Sequence, residues 1–189
     1  AQGLNVHDEV QAASTANIVG TYVNGSADAS QGTGIGATFT VTATGALVID
    51  GYTTVVNDRV LLKNQTTASQ NGIYTVTTAG ATGVSAVLTR ATDANNHVPG
   101  QVTAGDFIYI VNGTVQGTTG WVQTAQGTAT TPAKAIKIGT DSITFSQFYG
   151  VGTYTASNGV LLTGTNFTFA PSTTGGLTTG VSGGAVLLP

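Results

Sequence analysis

The 189-residue chain contains no cysteine, which excludes disulfides, iron–sulfur clusters and thiolate zinc sites in any compartment. Charge is almost as scarce. Asp, Glu, Lys and Arg make up 7% of the residues, against roughly 25% in an ordinary soluble protein. The five basic residues, Arg59, Lys63, Arg90, Lys134 and Lys137, form no run. They cannot neutralise a stretch of phosphates, so nucleic acid is not an expected partner. No segment approaches the roughly 18 consecutive apolar residues of a membrane helix, and no basic stretch leads into an apolar one. Membrane insertion is therefore not expected. Histidine is limited to His7 and His97, so a catalytic zinc would have to be assembled from these and scattered carboxylates. No cofactor is expected.

In place of charge the chain carries 27 glycines and a large stock of threonine, serine, asparagine and glutamine. Its surface must be polar yet nearly uncharged. A net charge of -3 gives little of the self-repulsion that keeps monomers apart, which favours assembly over an extracellular monomer with a threonine-rich coat.

Only the opening "LNVHDEVQAASTANI" has helical character, with alanine and glutamine following the acidic pair Asp8 and Glu9. It predicts an N-terminal arm or short helix over residues 1–19. From Ala37 onward, β-branched and aromatic segments alternate with turn residues: "ATFTVTA", "ALVID", "RVLLKN", "GIYTVTT", "AVLTR", "DFIYIV", "GWVQTA" and "ITFSQF". This spacing predicts an all-β sandwich or small barrel over residues 20–150. Asp50-Gly51, Asn71-Gly72 and Asn112-Gly113 are pairs that tolerate positive φ and punctuate it. Gly150-Val151-Gly152 reads as a hinge. Beyond it, residues 151–189 offer two very short apolar strands and a glycine-threonine tail, too little to fold alone. That segment is expected to pack on neighbouring copies.

In "DRVLLKNQTTASQNGIYTV", Asp58 to Val76, alternation places Val60 and Leu62 on a core face and Arg59, Leu61 and Lys63 on an amphipathic one. Arg59 and Lys63 then serve as positioning charges for Asp58, Asp50 or Asp93. "GTGIG", Gly32 to Gly36, lacks the lysine and βαβ context of a phosphate loop and reads as a linker. Asp93, Asn95 and Asn96 offer oxygens at alternating positions, a weak cation candidate; turn residues bonding their own backbone explain the cluster equally well. No nucleophile-elbow pattern is present, and Asp8 and Glu9 are the only local carboxylate pair, although distant pairs such as Asp50 with Asp106 stay open. The chain is not expected to be an enzyme. Trp121 is expected to anchor the core rather than stack on a sugar.

These motifs together resemble a module of bacteriophage tail-fibre and related virion proteins. The resemblance rests on "QAASTANI", Asp50-Gly51, the "DRVLLKNQT" stretch with Asp58, Arg59, Lys63 and Asn64, and "NGIY" with Asn71, Gly72 and Tyr74. It continues through Arg90 and Asp93, Trp121, and "ITFSQFYGVGTYTASNGV" with Phe145 and Phe148. It spans roughly residues 11 to 169. The chain departs from the pattern at Asn57, where glycine is commoner, and by an inserted "GTATTPAKAIKIG". The resemblance implies a structural virion subunit on a tail or other external appendage, forming a homotrimer and contacting other tail or baseplate proteins. It implies no catalytic residues. Two alternatives accompany it: a carbohydrate-binding module that reads a host cell-surface glycan through Trp121, Tyr109 and Tyr154, and a capsid head fibre or decoration protein.

Overall fold

Threonine, valine, isoleucine and the aromatics dominate the segments between turn residues, and these segments become strands because branched and aromatic side chains pack well on a pleated surface. The computed structural model of the chain describes residues 5–28, 30–149, 160–163 and 166–169. It divides into two units, residues 1–150 and 151–189. In chain order the first unit contains β1 (Asn5–Val6), β2 (Ala12–Ala13), β3 (Gly20–Val23), β4 (Ser26–Asp28), β5 (Gly32–Ile35), β6 (Thr38–Thr44), β7 (Val48–Ile49) and β8 (Tyr52–Thr53). There follow β9 (Arg59–Leu62), β10 (Gly72–Thr78), β11 (Ser85–Arg90), β12 (Asp106–Ile110), β13 (Thr119–Gln123) and β14 (Phe145–Tyr149). A 3-10 turn over Ala68–Gln70 is the only helical segment among the described residues. The fold is all-β.

Six strands form one open sheet in the order β2-β9-β10-β11-β6-β3, and four form a second in the order β1-β12-β13-β14. The sheets face each other across a core of Val10, Ala13, Leu61, Ile73, Ile108 and Ile110, with Trp121 and Phe145 packed at its edge. A second core lies on the opposite face of the six-stranded sheet. There Phe39, Val60, Leu62, Tyr74, Val76 and Leu88 are covered by Leu47 and Ile49 of the β7–β8 hairpin and by Ile18. The β7–β8 turn is Asp50-Gly51, with φ of 50° and 80°, the left-handed pair that matches the twist of a two-residue hairpin.

Three expectations are corrected here. Of the arm or short helix expected over residues 1–19, the described residues 5–19 form no helix, because tertiary hydrogen bonding overrides their local propensity. Residues 5–13 run extended along both sheets: β1 pairs in parallel with β12, and β2 in parallel with β9. His7 and Val10 N–H donate to Phe107 and Tyr109 carbonyls, while Gln11 and Ser14 N–H donate to Arg59 and Leu61 carbonyls. Ala12 and Ala13 are both fully buried, one in each core. Ala13 lies where the two sheets meet and Ala12 on the opposite face of the six-stranded sheet. This arm is part of the β unit, stitched to it by these hydrogen bonds.

The amphipathic face expected on β9 is the second correction. Val60 and Leu62 do share one core, but Leu61 is 0% exposed in the other. A strand covered on both faces shows a continuous apolar run instead of alternation, and "VLL" is that run. "GTGIG" is likewise no linker: β5 pairs with β4. The inserted segment also turns inward. Its Ile136 and Ile138 are fully buried in the inter-sheet core, held by Ile136 N–H to Val102 carbonyl at 2.9 Å and Thr33 N–H to Ile138 carbonyl at 2.8 Å. In the second unit, β15 (Val160–Thr163) and β16 (Asn166–Phe169) pair antiparallel, Val160 opposite Phe169. The hinge at Gly150–Gly152, Tyr154 and the glycine-threonine tail lie outside the described residues.

Candidate functional site

The residues that carry the sequence signature gather in two polar clusters on either side of β9 and β10. In the first, Arg59 at the start of β9 grips Asp93 with both terminal nitrogens, Nη1 to Oδ1 at 2.9 Å and Nη2 to Oδ2 at 2.8 Å. His7, brought in by the N-terminal arm, places Nδ1 3.2 Å from Asp93 Oδ2 and Nε2 3.4 Å from Asp106 Oδ2. Asp106 in turn accepts from Asn5 Nδ2 and from the N–H and hydroxyl of Thr103. Burial opposes a charge on His7, but hydrogen bonds to Asp106 and Asp93 and their negative field outweigh it, pushing the imidazole up to about 9. Burial would raise the Asp93 carboxyl, yet the hydrogen bonds and charges of His7 and Arg59 hold it well below the usual carboxylate range. The cluster alternates Arg59 and His7 with Asp93 and Asp106, spanning the arm, β9, β12 and the loop after β11.

The second cluster centres on Arg90, which is 2% exposed and has no carboxylate partner among the described residues. Its Nη1 donates to the Asn71 carbonyl at 3.1 Å and its Nη2 to the Tyr74 hydroxyl at 2.9 Å. The Tyr74 hydroxyl donates onward to the Gln70 carbonyl. The guanidinium also lies 4.8 Å from the Tyr74 ring centre and 5.9 Å from that of Tyr22, within cation–π range. Burial pushes the Tyr74 phenol up to about 12, against the opposing pull of Arg90. Gly72 has φ of 137°, and a Cβ there would run into Arg90 Nη1. Only glycine satisfies both conditions, which accounts for the glycine of "NGIY".

The amides of the signature hold loops. Asn71 Nδ2 donates to the Ile143 carbonyl while its Oδ1 accepts from Gln65 N–H, both at 2.9 Å. Gln65 clamps Ile18 in both directions, Ile18 N–H to Oε1 and Nε2 to the Ile18 carbonyl. Asp58 Oδ2 accepts from Val55 N–H at 2.8 Å. Asn57 before it has φ of 76°, so glycine is the natural alternative and asparagine is one of the few side chains that tolerates the position. The Asp50 carboxylate accepts from the N–H groups of Val115 and Gln116. Asp50 and Asp106 thus work in separate places and form no carboxylate pair.

Lys63 Nζ donates to Asn64 Oδ1 at 2.9 Å and stands 4.0 Å above the Trp121 ring. Trp121 is half-buried against the inter-sheet core, with Nε1 donating to Thr119 Oγ1 at 2.9 Å. Its ring is therefore capped on one face. Phe145 packs on the same core, whereas Phe148 is 69% exposed and meets Phe107 edge to face, centroids 6.0 Å apart. Tyr109 lies half-buried on β12.

The three residues of the cation candidate are each engaged. Asp93 faces two cations, Asn95 Oδ1 accepts from His97 N–H, and Asn96 donates to the Ile136 carbonyl and accepts from Val102 N–H. Asn96 has φ of 59°, a left-handed turn conformation that asparagine tolerates. Among the described residues no group of three or more His, Cys, Asp or Glu side chains could hold a metal ion. No helix among them is long and apolar enough to cross a membrane.

Sequence reasoning did not place His7 and Asp106 with Arg59 and Asp93, nor mark Gln65 and Gln123 as interior. The available signal was the "H" and "D" on segments that a parallel arm pairing would juxtapose, and that pairing is non-local. What these contacts define is an all-β sandwich whose signature side chains bond one another and the backbone. No family model, curated protein or solved structure matches the chain.

Proposed function

We propose that the chain is a structural component of a phage virion, a tail-fibre subunit that mounts or spaces the host-recognition apparatus as a homotrimer. The observation that carries this reading is the outer face of the four-stranded sheet. Val6, Phe148 and Tyr149 on that sheet are 67%, 69% and 65% exposed, beside half-buried Phe107. This aromatic surface ends on β14, the edge strand of its sheet among the described residues, and an edge strand is a template for pairing. Apolar side chains concentrated on one exposed face mark an interaction surface, and a chain this poor in charge offers little repulsion between copies.

The signature residues support a structural role over a catalytic one. Arg59, Asp93, Arg90, Asn71 and Tyr74 each make hydrogen bonds inside the fold, which ties the signature to holding strands and loops together. A glycan-reading role draws less support, since Lys63 caps the Trp121 ring. Light scattering on the purified full chain tests the proposal: a mass three times the 18.8 kDa of one chain is expected, and a chain that stays monomeric at high concentration overturns it. Localisation on the particle separates the remaining alternative, because many copies spread over the capsid would make it a decoration protein instead.

A further inference from the structure

The inward faces of the two sheets enclose a small cavity lined by His7, Arg90, Asp106, Ile108, Gln123 and Phe145, among others. Its volume is about 10 Å³, the space that a single water centre requires. Gln123 is 1% exposed, and neither its Nε2 nor its Oε1 has a hydrogen-bond partner among the described residues. Arg90 Nε is buried and unpartnered as well. Natural cores rarely leave both ends of an amide bare, because each loses its hydration and gains nothing in return.

We propose that this cavity is a built site for one water molecule, held as a permanent part of the fold. A primary amide presents its carbonyl oxygen and one N–H on the same side, so a single water can donate to Gln123 Oε1 while accepting from Nε2. Asp106 and Arg90, in the same lining, supply a further acceptor and a further donor, within the two to four partners that a buried water makes. His7 bounds the site without serving it, both its nitrogens being directed at Asp93 and Asp106. Ile108 and Phe145 leave no room for a larger solute. The water thereby links β13 to the Arg90 cluster on one side and the His7 cluster on the other.

A crystal structure of the full chain at atomic resolution tests this directly. Expected is one fully occupied water within hydrogen-bond distance of both Gln123 side-chain atoms, and, in solution, a slow-exchange water cross-peak to the Ile108 methyl protons. In Gln123→Met, which keeps the length and removes the polar atoms, the density and the cross-peak should both disappear. A dry cavity, a Gln123 amide bonded to a protein group, or a water that persists unchanged in Gln123→Met would overturn the proposal. Should that variant fail to fold, the wild-type density and cross-peak decide alone.

Discussion

Arg59 and Arg90, the only two arginines of the chain, are held in opposite ways. The Arg59 side chain, 21% exposed, is paired bidentately with an Asp93 that is 35% exposed. Arg90 is sealed inside and meets two neutral acceptors and two aromatic rings. At the rim, water still shares the solvation of both ions, so a carboxylate can be brought up at little desolvation cost. In the interior a carboxylate would have to be stripped of water too, and the attraction gained often fails to offset that second cost. Carbonyl, phenol and π-face contacts spread the guanidinium charge without burying a second one. The comparison teaches that one residue type, in one signature, can serve as a surface clasp and as an internal strut.

The sharpest way to break this comparison is to remove the strut. Arg90→Ala leaves a cavity, strands the Asn71 carbonyl and removes the donor to the Tyr74 hydroxyl, and should destabilise the β unit by about 3–4 kcal/mol in chemical denaturation. Arg90→Lys should recover less than half, since an ammonium cannot reproduce the planar fork. A loss below about 1 kcal/mol for the alanine variant would show that Arg90 is not a strut. Gly72→Ala probes the space the strut occupies. Its positive φ and the encroachment on Arg90 should cost about 2 kcal/mol, and a neutral result would mean that the guanidinium moves aside freely.

The rim cluster should show itself through pH. His7 rises from 6.5 to about 9 on folding, so its contribution is complete below pH 6.5 and is lost as pH climbs through about 9. Asp93 is depressed, so its contribution is present above the ordinary value of 3.8 and lost as pH falls. Stability should therefore peak between these limits and decline on the alkaline side by on the order of 1–2 kcal/mol. Melting curves from pH 4 to pH 10 should show that alkaline decline in wild type, flattened in His7→Gln; an equal decline in both would remove His7 as its source. Smallest is the clasp itself. Arg59→Ala should cost about 1 kcal/mol, lowering the melting temperature while light scattering finds assembly intact or weakened. A loss as large as that of Arg90→Ala would erase the distinction between rim and interior.

Much of this was legible along the chain. The segments from "ATFTVTA" to "ITFSQF" all contain strands, because local alternation and turn chemistry survive into the fold. Asp50-Gly51 adopts the hairpin conformation its residues favour. The arm was not legible, since nothing local distinguishes an alanine-rich helix from an alanine-rich strand buried at the edge of a sheet. Nor was the double burial of Leu61, which depends on the four-stranded sheet arriving from residues 106–149 to cover it. The cation candidate looked the same as a turn because asparagine oxygens serve either purpose.

What the sequence determined by itself was the all-β class, the strand positions, and the Asp50-Gly51 turn. Those follow from side-chain shape and backbone sterics, which act within a few residues. Tertiary structure alone decided that His7 would sit between Asp93 and Asp106, that Arg90 would be roofed by Tyr22 and Tyr74, and that the inserted isoleucines would close the core. Each joins residues distant in the chain, and their energies come from burial and from hydrogen bonds across sheets, quantities that exist only once the sheets have met.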